Sequence, residues 1–278
     1  MSNAPNKKVK RVTHKPTTRQ QQIRYAKRKK SLRRRRIRNR LIVLGGSVLI
    51  LWAIVSLVVH LLTPAPTTTK KTTTTTDTSN YPAVTVCVDP GHGGYDGGNI
   101  MADGTSEKDV TLKYAKTFGK YLKQMNPNIK IVYTRTSDTI SWPEDEVEDL
   151  KDRVKIADKA NADYFISFHV DSNIDDSSLN SYSFYVRGND AVSTAIAKKI
   201  HTNLKKAGWN YDYSIQDVST YPLYVITEQK NRPSMLYEVG YGSNLDQAKA
   251  LQKTKNINKI AKAAAKAYHD YILKHDSK

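Results

Sequence analysis

The chain has 278 residues, a formal net charge of +19 and a single cysteine. Residues 1–40 hold 17 Lys or Arg and no Asp or Glu, so removing them from +19 leaves about +2 for the rest. That distribution argues against a nucleic-acid-binding globule, and the lone thiol excludes an internal disulfide framework.

In chain order, the basic cluster Lys27–Arg40 runs directly into Leu41–Leu62, 22 residues without Lys, Arg, Asp or Glu. As a helix that segment would be roughly 33 Å long, enough for a bilayer core of about 30 Å. It exceeds the apolar core of a cleaved leader, about 7–15 residues, and no clear small-residue cleavage pattern follows. The expectation is an uncleaved, single-pass transmembrane signal anchor, with cleavage as the alternative. The positive-inside rule puts the basic tail in the cytoplasm and everything after Leu62 outside. Residues 63–80 form a Pro/Thr/Lys tract without hydrophobic periodicity, read as an extended linker. A folded domain is expected over 81–278, and roughly 200 residues suffice for a core without disulfides. Cys87 lies in an apolar run and reads as a buried structural residue.

Within the domain, short apolar runs alternate with longer amphipathic ones. Strands are expected at Ala83–Val88, Ile129–Thr134, Tyr164–Val170, Tyr182–Val186, Leu223–Ile226 and Met235–Tyr241. Helical spacing covers Ser106–Met125, with Ser106 and Asp109 as an N-terminal cap, and Glu144–Asn161, which aligns Val147, Leu150, Val154 and Ala157. It returns over Ala191–Lys206 and over Asn244–Leu273, the last broken near Lys255. The pattern predicts a single open-sheet α/β domain with flanking helices.

The chemistry gathers at strand ends, where reactive groups of open α/β sheets collect. His92 follows the first strand inside Asp89-Pro90-Gly91-His92-Gly93-Gly94, with Asp96-Gly97-Gly98 close behind. The glycines clear space around the imidazole, which suits a metal ligand or a catalytic base. His169 ends the run from Tyr164, and Glu238 is an ionisable group in the otherwise apolar Met235–Gly240. Glu107 sits in the first turn of the following helix, where the macrodipole alone would welcome a carboxylate. Two imidazoles and one carboxylate suit Zn²⁺ with a fourth position for water. A second carboxylate, not a ligand, can carry the water's proton to a leaving amine. Nucleophile elbows, Walker loops and dinucleotide fingerprints are absent.

These residues arrive in an order that resembles one family, the zinc-dependent N-acetylmuramoyl-L-alanine amidases of the amidase-3 type. The landmarks are Val88–Gly94, Ser106-Glu107-Lys108, Thr134–Asp138, Leu150-x-x-Arg153-x-x-x-Ala157, Ala162–His169 and Pro233–Asn244. The resemblance covers about Val84 to Tyr271. It implies His92, Glu107 and His169 as zinc ligands and Glu238 as the catalytic carboxylate. It also implies hydrolysis of the bond between N-acetylmuramic acid and L-alanine in peptidoglycan, outside the cell and facing the wall. Asp158 and Asp171 stand where the family usually has Asn, and Tyr241-Gly242 replaces a common Phe-Leu. The alternatives are a zinc peptidase acting on another wall amide and a non-catalytic wall-binding regulator. The expected partners are peptidoglycan and the membrane, with no nucleic acid and room for a regulatory or divisome partner.

Overall fold

A computed structural model describes residues 81–276. The basic tail, the expected anchor and the linker therefore lie outside the described residues. Among the described residues no helix is long and apolar enough to cross a membrane.

The apolar runs become strands because their residues are covered on both faces, the condition for a parallel sheet. The first strand, β1 (Thr85–Pro90), pairs in parallel with β2 (Lys130–Tyr133) and β3 (Tyr164–Asp171). Parallel to β3 runs β6 (Ser234–Tyr241), which is antiparallel to β4 (Tyr182–Val186), and β4 pairs in parallel with β5 (Tyr213–Asp217). The six strands lie in the order β2-β1-β3-β6-β4-β5. The carboxyl ends of β1, β3 and β6 thus share one edge of the sheet.

Alternation along the strands splits the side chains between two cores. Val86, Val88, Ile166, Phe168, Met235 and Tyr237 face the larger one. Against it pack α1 (Glu107–Met125), α3 (Ala191–Lys206) and α6 (Thr254–His275), through residues such as Phe118, Ile200 and Tyr268. Phe118 meets Phe168 and Tyr268 with ring centroids 5.4 Å apart in each pair. On the other face Cys87, Phe165 and Leu236 meet a smaller core. It is closed by α2 (Glu146–Lys159) and the one-turn α4 (Tyr224–Thr227). This thin cover matters because Asp89, Ser167, His169 and Glu238 share that face by the same alternation.

The structure corrects several sequence expectations. Leu223–Ile226 is not a strand; its apolar residues fill the smaller core as α4. A strand at Tyr213–Asp217 had no counterpart in the sequence reading. Ser106 precedes α1 but makes no side-chain cap; its hydroxyl donates to the Gly97 carbonyl instead, at 2.6 Å. Val147 is exposed rather than packed. The break in the C-terminal helical stretch falls at Lys253, between α5 (Leu245–Gln252) and α6.

Candidate active site

The loop after β1 is fixed by two buried arginines. Arg153 of α2 donates to Asp89 Oδ1 at 2.7 Å, to the Pro90 carbonyl at 2.9 Å and to the His92 carbonyl at 2.9 Å. Asp149, one turn earlier on α2, also pairs with it at 2.7 Å. Arg135, just beyond β2, donates to the carbonyls of Pro90 at 3.0 Å and Gly91 at 2.9 Å. Asp89 is further held by the hydroxyls of Thr134 at 2.5 Å and Ser167 at 2.7 Å. Five-donor guanidinium groups suit this work, since each satisfies several carbonyls that the tight turn leaves unpaired. Held this way, His92 adopts φ +60°, a left-handed conformation costly for a side-chain-bearing residue.

The backbone strain aims the imidazole inward. His92 Nε2 lies 3.1 Å from Glu107 Oε1, and His169 Nδ1 lies 3.2 Å from the same oxygen. The three ligand atoms fall within 4.8 Å of one another. Glycine is needed at Gly91, where a Cβ would collide with the His169 ring. It is needed equally at Gly98, where a Cβ would come within 2.7 Å of His92 Cδ2 and 2.8 Å of Glu107.

The groups behind these three residues hold them in place. Asp96 Oδ2 binds His92 Nδ1 at 2.6 Å, the carboxylate–imidazole pairing that commonly supports a metal-bound histidine. Glu107 Oε2 accepts from the Asn99 backbone N–H at 3.0 Å and its side-chain amide at 3.1 Å, while Oε1 accepts from Val170 N–H at 2.9 Å. Burial alone would raise the Glu107 carboxyl, but hydrogen bonds from His169 and His92 outweigh it and hold the group well below the usual carboxylate range. Burial likewise opposes protonation of His92, yet Asp96 and Glu107 lift it to about 9. A site that concentrates negative charge on two imidazoles has the donor chemistry for a divalent transition metal, and the N, N, O set suits Zn²⁺.

Glu238 stands opposite His169 in the β3–β6 register and opposite Ser183 across β4. Its Oε2 is sealed from solvent and has no hydrogen-bond partner. Burial, then the neighbouring carboxylates of Glu107 and Asp171, push its carboxyl well above the ordinary value. The structure thus brings His92, Glu107 and His169 together and places Glu238 one strand away. A cleft of about 370 Å³ opens over His92 and His169, walled by the start of α2 on one side and Tyr221–Val225 on the other.

The domain matches the family model described as N-acetylmuramoyl-L-alanine amidase over residues 86–270. The chain belongs to that family. A germination-specific amidase of Bacillus subtilis is 31% identical over 67% of this chain and 79% of its own length. The Bacillus subtilis amidase LytC is 32% identical, but the match spans only 34% of that protein. Among solved structures, the catalytic domain of CwlV from Bacillus (Paenibacillus) polymyxa aligns with TM-score 0.59 and 31% identity, covering 68% of this chain and 97% of that one. The CwlD amidase of Clostridioides difficile, solved in complex with the GerS lipoprotein, aligns with TM-score 0.60 and 26% identity over 68% of this chain and 98% of that one. The CwlV catalytic domain is thus a structure spanning little beyond the matched region.

Against the sequence reading, the four site residues fall at one edge of the sheet. The sequence alone gives Asp96, Asn99, Arg135 and Arg153 no role at the site. Their signal was faint, an Asp four residues after His92 and two arginines inside landmark motifs. Of the departures from the family, Asp158 accepts from Arg232 at 2.8 Å. Asp171 caps the Ser172 N–H at 2.8 Å and is raised by burial. Gly242 leaves the room that Met101 occupies, since a Cβ there would meet Met101 Cγ at 2.8 Å.

Proposed function

We propose that this amidase cleaves the bond between N-acetylmuramic acid and L-alanine with a zinc-activated water, held by His92, Glu107 and His169. The convergence of two imidazole nitrogens on one buried carboxylate oxygen carries the reading. When bound there, Zn²⁺ supplies a Lewis acid for the scissile carbonyl and a water that ionises near pH 7. Glu238 does the proton work. Burial and the carboxylates of Glu107 and Asp171 raise its proton affinity above that of an ordinary carboxylate, which suits a group that accepts from the attacking water and returns the proton to the leaving amine. Asp96 keeps His92 in one tautomer and orientation, and the Asn99 and Val170 donors stop Glu107 from turning away.

The same reading puts the catalytic domain outside the cell, tethered by the apolar segment 41–62 with the basic tail in the cytoplasm. The charge asymmetry around that segment supports it. By analogy with the lipoprotein complex of the CwlD relative, a protein partner of the exported domain belongs to the same picture.

The test is digestion of purified wall by residues 81–278 loaded with zinc, with products identified by mass spectrometry. Free stem peptides beginning with L-alanine are expected. Muropeptides cut within the stem would make it a peptidase, and binding without cleavage would make it a wall-binding module.

A further inference from the structure

One groove on the domain, away from the cleft, is lined by four lysines with Gly119, Asn128, Ile131 and Tyr133 between them. Residues 110–137 contain six Lys or Arg and no Asp or Glu, in a chain whose charge after residue 40 is only about +2. The exposed side of α1 sets Lys116, Lys120 and Lys123 in a row about 10 Å long. Lys130 faces them from β2, the edge strand of the sheet. Between them runs a groove of about 500 Å³.

Its floor is made by a glycine. Gly119 sits in the middle of α1, where glycine costs about 1 kcal/mol relative to alanine. A Cβ at that position would collide with the Tyr133 hydroxyl. The exchange puts a phenol beneath the lysine row, and that hydroxyl makes no hydrogen bond within the described residues. The ammonium groups of Lys120 and Lys130 likewise form no ion pair or hydrogen bond among the described residues. Lys116 reaches only the Thr136 carbonyl, at 3.4 Å. Lys123 is the one committed member, closing the end of α1 through the carbonyls of Pro127 at 2.6 Å and Ile129 at 2.7 Å.

We infer that the groove between α1 and β2 binds a linear phosphodiester polymer, docking the catalytic domain on the anionic polymers of a cell wall. The chemistry of the lining selects for anions, because ammonium groups and a phenol face the groove with no carboxylate nearby to neutralise them. The row geometry suits a chain of evenly spaced charges better than a single small ion. A membrane surface is disfavoured, since interfacial binding needs apolar side chains beside the basic ones. Ile131 is the one aliphatic side chain in the lining and is half-buried, while the large exposed apolar residues lie elsewhere, Tyr221 and Tyr224 at the cleft among them. This inference goes beyond the catalytic proposal and rests only on its placement of the domain outside the cell.

The experiment uses residues 81–278 titrated with poly(glycerol phosphate) at two salt concentrations. Three proteins are compared: unmodified, the triple variant K116Q/K120Q/K130Q, and a control triple K198Q/K205Q/K206Q from exposed positions on α3. The groove variant should bind at least about tenfold more weakly and lose about 2 from its log–log salt slope, while the control changes less than twofold. Equal losses in both variants would reduce the effect to net charge and overturn the proposal, as would no loss in the groove variant. Anionic phospholipid vesicles form a second arm; tighter groove-dependent binding to them than to the polymer would replace it with a lipid surface. Hydrolysis of polymer-free peptidoglycan by the groove variant should stay unchanged, which separates failure of this idea from failure of the catalytic one.

Discussion

At the scale of single residues, the site divides the labour between groups that would hold a metal and one that would move a proton. Glu238 is the clearest case, because one of its carboxyl oxygens, Oε2, is sealed and unpartnered where a structural role would have given it a donor. Glu238→Gln should retain bound zinc and fold normally while turnover on purified wall falls by roughly 10²–10⁴-fold. Metal analysis and product release on the same sample check both halves. Asp96 predicts the opposite separation. Asp96→Ala removes the partner of His92 Nδ1 and should weaken zinc affinity by roughly 10–100-fold in a chelator competition. An unchanged affinity would show that the arginine-bound loop alone orients the imidazole.

At the scale of elements, the loop after β1 is shaped by what packs behind it. Gly91 lies against the His169 ring, so Gly91→Ala should push that imidazole out of the cluster. Zinc content should drop with little change in the urea midpoint, because neither core is touched. A collapse of stability without loss of metal would place the effect in the sheet instead. The same loop shows how far the sequence could be read. His92 stood out because glycines surrounded it, and the apolar runs announced β1, β3 and β6. The arginines could not be assigned from sequence, since Arg153 reaches the loop from 61 positions away in the chain to the His92 carbonyl. Short apolar runs mislead in the other direction. Leu223–Ile226 carries β-branched residues yet forms one helical turn, because four residues are too few for period to distinguish strand from helix. Tyr213–Asp217 escaped because its alternation is polar and it lies at the open edge of the sheet.

At the scale of the whole molecule, the buried Asp89–Arg153 pair ties β1 to α2, with Ser167 of β3 bound to the same carboxylate, and it sets a pH limit on the fold. Burial alone would raise the Asp89 carboxyl, but Arg153 and the hydroxyls of Thr134 and Ser167 outweigh that and hold it below its ordinary value. In the unfolded chain the same group titrates near about 3.9. The folded state therefore binds this proton less readily, so the contribution is complete above about pH 4 and is lost as pH falls through the folded value. On the acid side, urea midpoints of metal-free protein should fall steeply below that point, and Asp89→Asn should be less stable at neutral pH with a shallower acid limb. An unaltered acid limb in the variant would assign the effect to another carboxylate. Cys87 has a consequence of a more practical kind. The chain's one thiol is fully buried in β1, and burial raises it far above the usual thiol range, so it is kept from thiol-directed reagents. A cysteine introduced at exposed Tyr221 would then be the only handle a maleimide dye finds, giving a fluorescent reporter of cleft occupancy in an otherwise native sequence.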